Sequence, residues 1–367
     1  MNAYVLSASV LPPSANAVGE RLEEMVFRAS HKAIESAAVS QRQIDHVTLG
    51  ACDELDGRPI SSMLMAGPAG AYLTDEIKVT DSGASALCLA YARLLSGEFD
   101  LGLVVSWCKS SKTSLESVMN ARLDPFFNRF LGVGGIAADA MFAQAASEEF
   151  GVTEDEVNQR VNAAYERAQL NPRGMRHGVL SERDIASSPY EALPVRSAHR
   201  APLTDGAVSM VLASSRFVER NSHCVPLARI AGAGWASDSY RLDKARLSGM
   251  RSARLAWATA MRHAGIGGAA DLDAVELESP TGFHEAAYVR AFGLTKPEAL
   301  SPSGGSFAQN PIFCSGLVNA AEAVLQVSGN AGPVQRTGAK RAAAHSCHGA
   351  AQQGNVVVVF ESMGAAR

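Results

Sequence analysis

The turn Val79-Thr80-Asp81-Ser82-Gly83 closes an apolar strand and opens a helix, so its side chains sit where free amides and the helix dipole favour negative charge. Thr80 is there either a hydroxyl that meets a substrate or a cap for the following helix, and Asp81 is either a pocket carboxylate or a first-turn residue that satisfies the dipole. Glu278 follows the apolar run Leu272 to Leu277. A carboxylate at the end of a buried strand must be exposed, paired or shifted in pKa, which makes Glu278 a candidate catalytic or substrate-orienting group. Cys347 lies within His345-Ser346-Cys347-His348. Side chains so close alternate across a strand and cannot converge on one ion, and no second ligand pair accompanies them, so no metal is expected. Cys88 lies two turns into the helix and reads as core, whereas Cys314, just before Ser315-Gly316, has the better electrostatic position. Leu131-Gly132-Val133-Gly134-Gly135 and Ser303-Gly304-Gly305 depart from phosphate-loop patterns and read as turns that open backbone to a pocket.

Strands and helices alternate to position these groups. Apolar runs at Tyr4–Val10, Val47–Ala51, Ile77–Thr80 and Leu101–Trp107 are separated by helical patterns at Gly19–Ala38, after Ile60 and at Gly83–Leu95, a βαβαβ order that predicts a parallel, doubly covered sheet. The second half repeats it with strands at Leu227–Gly232, Leu272–Leu277, Ala339–His345 and Asn355–Glu361 and helices at Ser248–Ala264, Phe283–Phe292 and Gly316–Val327. Ser82-Gly83 and Ser96-Gly97 bracket one helix as Ser315-Gly316 and Ser328-Gly329 bracket another, Ser as cap and Gly as left-handed stop, which argues for a duplicated fold. The stretch from Lys109 to Leu203 breaks the alternation with helices at Ile136–Phe150 and Glu154–Gln169, the second entered through Thr153 with Glu156 at capping-box spacing. It reads as an insertion over the sheet that shapes a pocket. Residues 1–223, including the insertion at 109–203, form one half and 224–367 the other.

The chain has 367 residues, 47% of them hydrophobic and 19% charged, enough for two compact units with their own cores. Its net charge of −4, without a block of Lys or Arg, gives no footprint for nucleic acid or an anionic membrane. No apolar stretch reaches the length of a membrane span, no basic segment precedes the first apolar run, and six dispersed cysteines read as reduced thiols, so the cytoplasm is the expected compartment.

The order of motifs resembles the thiolase superfamily, and within it the sterol-carrier-protein-x (lipid-transfer) type. The matching marks are Ser96-Gly97-Glu98-Phe99-Asp100, Glu149-Phe150-Gly151-Val152-Thr153 with Asn171-Pro172, Leu203-Thr204-Asp205-Gly206-Ala207, Ser301-Pro302-Ser303-Gly304-Gly305 and Cys347-His348-Gly349, which together span nearly the whole chain. The resemblance implies a thiolase fold, two similar βαβαβ halves in a five-layered α-β-α-β-α arrangement. It also places Thr80 where the family has its nucleophilic cysteine, Glu278 where it has Asn or His, and Asn310 where it has the histidine that binds the thioester oxyanion. Cys347 matches the cysteine that serves the family as general acid and base. Thr80, Glu278, Asn310 and Cys347 are therefore the expected catalytic set, with Ser82, Ser303, Gly304, His348 and Gly349 around the substrate.

The expected activity is acyl transfer on coenzyme A or acyl-carrier thioesters, with coenzyme A as part of the substrate and no separate cofactor. A carbon–carbon lyase on the same fold needs only a base and enolate stabilisation, from Glu278, Cys347 or Tyr240, and a non-catalytic subunit of a thiolase or OB-fold complex is the third reading. A homodimer, or a heterodimer with a thiolase-like subunit, is expected through the apolar run Leu101–Trp107.

Overall fold

A computed structural model describes residues 2–57, 60–80, 82–175 and 178–364, and Asp81 lies outside them. Among the described residues the backbone forms a nine-stranded sheet: β1 (Ala3–Val10), β2 (His46–Ala51), β3 (Asp75–Thr80), β4 (Leu101–Cys108), β5 (Gly206–Ser214), β6 (Ala228–Ser237), β7 (Ala274–Glu276), β8 (Arg341–His348) and β9 (Gly354–Ser362). Their spatial order is β3-β2-β4-β5-β1-β6-β9-β8-β7. The helices that matter for the site are α1 (Leu22–Ser36), α2 (Gly83–Leu95), α3 (Leu115–Ala121), α4 (Gly135–Phe150), α5 (Glu154–Leu170), α6 (Arg251–Ala264), α7 (Gly282–Phe292) and α8 (Ser315–Ser328).

The sheet is mixed where the alternation predicted it parallel. β2 runs parallel to β3 and β4, and β7 to β8, but β4–β5, β5–β1, β1–β6, β6–β9 and β9–β8 are antiparallel. The insertion explains the first reversal. It returns the chain beside the end of β4, where Cys108 pairs with Gly206, so β5 runs back along its neighbour.

Helices α2 and α8 lie between the two halves of the sheet: α2 touches β2 and β4 on one side and β6 and β9 on the other, and α8 touches β8 and β9 as well as β1 and β5. With α1 outside one half and α6 outside the other, the layers are the expected α-β-α-β-α. The paired Ser-Gly signals have a packing cause. A Cβ on Gly83 would come within 2.8 Å of Leu317 Cβ, and one on Gly316 within 2.9 Å of Ala84 Cβ, so the two helix starts cross at a distance only glycine allows. Ser82 caps α2 by accepting the Ser85 amide, as the sequence predicts. Ser315 does not cap α8. The N-cap position there is Cys314, and Ser315 donates its hydroxyl to Asn310 instead. Thr153 caps α5, but Glu156 turns away to Arg160 and Arg290, so only half of a capping box forms.

The insertion packs α4 and α5 against α7 of the other half. β4 is buried at every position and flanked on both edges, so it offers no face to a partner. The open edge on that side is β3.

Candidate active site

A cleft forms at the carboxyl ends of β7 and β8, roofed by α3 and α4 of the insertion, and it holds about 800 Å³ including its open mouth. Glu278, Asn310, Cys347, His348 and Gly349 line it, joined by three residues the sequence did not single out: Asp139, Arg200 and His284. Leu115, Met119, Ile312 and Phe313 give it an apolar wall.

Glu278 leaves β7 into the loop before α7, where its amide donates to the His345 carbonyl at 3.2 Å. Its side chain is buried, and Oε2 accepts from the Ser346 hydroxyl at 2.7 Å and the Cys347 amide at 3.3 Å. Burial pushes the carboxyl up to about 7, against the two hydrogen bonds that favour the anion. Behind Ser346, the Ser82 hydroxyl stands 3.2 Å away and is itself fixed by the Ser85 amide. With Ser346 donating to Glu278, Ser82 donates to Ser346, and the carboxylate is tied through two hydroxyls to the N-terminus of α2. Ser82 thus belongs to the site as a support, beneath the cleft rather than on its surface.

Cys347 lies on β8 with Sγ 3.7 Å from the Glu278 carbonyl. Burial first, then the charge of Glu278, push its thiol well above the ordinary range, so it is a neutral S–H at physiological pH. Cys314 is likewise pushed up to about 12 by burial. Cys88 is a buried residue of α2 in the core, as expected. Asn310 accepts the Ser315 hydroxyl on Oδ1 at 2.9 Å and turns Nδ2 toward the Ala201 carbonyl at 3.5 Å, a contact long enough to yield to a better acceptor.

Thr80 is the last residue of β3, exposed, and absent from the lining of the cleft; Ser82, not Thr80, caps α2. Ser303 and Gly304 also lie elsewhere. Ser303 gives its hydroxyl to the buried Glu276 carboxylate at 2.6 Å, and Gly304, at φ +89°, lets that turn press against Ala168 of α5. Tyr240 stacks on Phe127 outside the cleft lining.

The three added residues come from the insertion and from α7. Asp139, on α4, is pushed up to about 7 by burial, with Arg200 opposing. His284, in the first turn of α7, is pushed down to about 3 by burial and by the nearby His345 and Arg200, so it is a neutral imidazole. The spacing Thr281-x-x-His284, a capping residue with a polar side chain in the first turn, was its one signal in the sequence. Asp139 occupies an ordinary amphipathic position and had none.

The cleft therefore combines two carboxyls balanced near neutrality, Glu278 and Asp139, with a neutral thiol, a neutral imidazole and a side-chain amide. That set moves protons and donates hydrogen bonds; it holds no thiolate.

No family model matches the chain. It is 25% identical over 354 residues to an acetyl-CoA acetyltransferase of Methanothermobacter thermautotrophicus, covering 89% of this chain and 91% of the relative. It is 23% identical over 249 residues to the acetyl-CoA acetyltransferase of Methanocaldococcus jannaschii, covering 66% of this chain and 64% of that one, so the match spans less than two thirds of that relative. Among solved structures, human mitochondrial 3-ketoacyl-CoA thiolase superposes with a TM-score of 0.81 at 17% identity over 99% of both chains. The Ltp2-ChsH2 aldolase superposes with a TM-score of 0.82 at 17% identity over 100% of this chain and 99% of that one. The chain has the thiolase fold. Together the relatives and the structural neighbours support its place in the thiolase superfamily.

Proposed function

We propose that this chain is an enzyme that breaks or makes a carbon–carbon bond beside the carbonyl of a coenzyme A thioester by proton transfer, without an acyl-enzyme intermediate. The observation that carries this reading is the contrast between Glu278 and the two candidate nucleophiles. Glu278 is buried in the cleft at a pKa near neutrality, where a proton exchanger works best, while the Cys347 thiol is held neutral and Thr80 is exposed outside the cleft. In the cleaving direction a β-hydroxyl proton passes to the Glu278 carboxylate as the bond to the α-carbon breaks. The electron pair is left on the α-carbon as an enolate, which then recovers the proton. The likeness to a structure named an aldolase supports this choice within the fold.

Acyl transfer is the second reading, favoured by the names of the two acetyltransferase relatives and by the place of Cys347 in the cleft. The two readings separate in one experiment. Incubation with a panel of 3-hydroxyacyl-CoA esters should release an aldehyde or ketone and leave the intact protein mass unchanged. A mass increase that maps to Cys347 or Thr80, with free coenzyme A and no carbonyl product, would establish acyl transfer and overturn the lyase reading.

We further propose that the enzyme works in the cytoplasm as a dimer, of two copies or with a thiolase-like subunit. The two-part name of the aldolase neighbour supports a second, unlike subunit, and an OB-fold protein is the further partner we propose.

A further inference from the structure

His284 is fully buried at the start of α7, its ring against Phe142 with centroids 4.2 Å apart and planes 17° from parallel. Nδ1 lies 2.9 Å from the Thr281 hydroxyl. That oxygen also accepts the His284 amide at 3.4 Å; among the described residues the buried Thr281 hydroxyl has no other acceptor than Nδ1, so its proton goes there and the ring proton stands on Nε2. Among the described residues Nε2 has no hydrogen-bond partner, and it stands at the cleft, 3.8 Å from Asp139 Oδ1. A buried ring N–H without an acceptor costs about 1–3 kcal/mol, so its persistence here points to a ligand that supplies the acceptor. The start of α7 adds a positive dipole end behind it.

We infer that His284 Nε2–H, with Asp139 beside it, hydrogen-bonds the carbonyl oxygen of the thioester and holds the negative charge that develops there. The inference rests on the proton-transfer reading above and names the groups that stabilise its enolate. Balance is kept within that scheme: the proton leaves the β-hydroxyl for Glu278 and returns to the α-carbon, while His284 and Asp139 keep their protons and share them with the enolate oxygen. Asp139 is faced by Arg200, Glu116 and His284, and His284 by Asp139, Arg200 and His345. Of these, Asp139 is pushed up to about 7, so donation by its acid form fades as pH rises through neutrality.

The test is exchange of the α-protons of propionyl-CoA in D2O, followed by proton NMR. Wild-type enzyme should exchange them, and Glu278→Gln should not. His284→Phe keeps the stacking but loses the donor, and exchange should fall by roughly 100-fold or more with KM within about a factor of three; His284→Gln, which restores a donor, should recover part of the rate. Wild-type exchange in His284→Phe, with Glu278→Gln inactive, would overturn this inference and leave the lyase reading standing. No exchange in the wild-type enzyme would overturn both. Should His284→Phe lose its cooperative melting, the imidazole proton–nitrogen spectrum of wild-type protein decides: an Nε2–H tautomer is required, and an Nδ1–H tautomer overturns the inference.

Discussion

Ser346 donates its hydroxyl to Glu278 Oε2 at 2.7 Å, so that the residue next to the cleft cysteine serves the carboxylate and not the thiol. The chain thereby aims its buried hydrogen bonds at the anionic form of an acid that burial holds near neutrality. The first prediction follows from that balance. Glu278→Gln keeps the acceptor for Ser346 and Cys347 but cannot exchange a proton, and kcat should fall by at least about 100-fold with no loss of melting temperature. Steady-state kinetics alongside thermal melting check this.

Glu278 also sets a pH dependence of stability. The carboxyl is protonated in the folded protein up to about 7, while the unfolded chain releases that proton near 4.5, so the folded state binds more protons in this window and stability falls as pH rises through it. Glu276, pushed up to about 8, and Asp139, up to about 7, act in the same direction. The buried His46, His199, His284 and His345 act oppositely, being held well below 6.5, and their contribution levels off about a unit above that value, where the unfolded chain has lost its imidazole protons. Between pH 6.5 and 8.5 the three carboxyls outweigh them, and the melting temperature should drop. Glu278→Gln should flatten the drop and raise stability at pH 8 by up to about 3 kcal/mol. Denaturant melts across that range would show it.

Thr80 lies outside the cleft lining, which predicts that Thr80→Ala keeps native turnover. Thr80→Cys should gain no acyl adduct from propionyl-CoA, as read by intact mass. An adduct on the new cysteine would show that the β3 end closes over the cleft in solution.

Assembly is predicted along β3, the open edge of the sheet. Ile77 is exposed on it, and Tyr72 and Leu73 just before it are 77% and 90% exposed, an apolar edge that soluble chains cover. Light scattering at micromolar concentration should give a dimer, and Ile77→Lys should shift it toward monomer with little loss of fold. A wild-type monomer would refute the assignment of this edge.

Much of the fold was legible because local rules acted without conflict. The helix at Gly83–Leu95 has its Ser cap, its apolar face and its Gly stop in the places the structure uses. The insertion announced itself by breaking the alternation, and its helices do shape the cleft. Ser315 misled because a serine before a helix reads as a cap, yet the Asn310 amide competes for its hydroxyl across the turn. The run Leu101–Trp107 misled as an interface because an apolar strand looks the same whether its neighbours come from its own chain or another.

By itself the sequence determined the element order and the duplicated pattern, since each is set by periodicity and capping within a few residues, while the expectation that Glu278, Asn310 and Cys347 belong to one site came from the resemblance to the thiolases. Only the tertiary structure decided which groups share a cleft and in what charge state. Asp139 and His284 lie about 145 residues apart and meet because α4 packs on α7. Glu278 and Cys347 owe their protonation to burial between elements, and burial is a property of the packed whole that no single segment encodes.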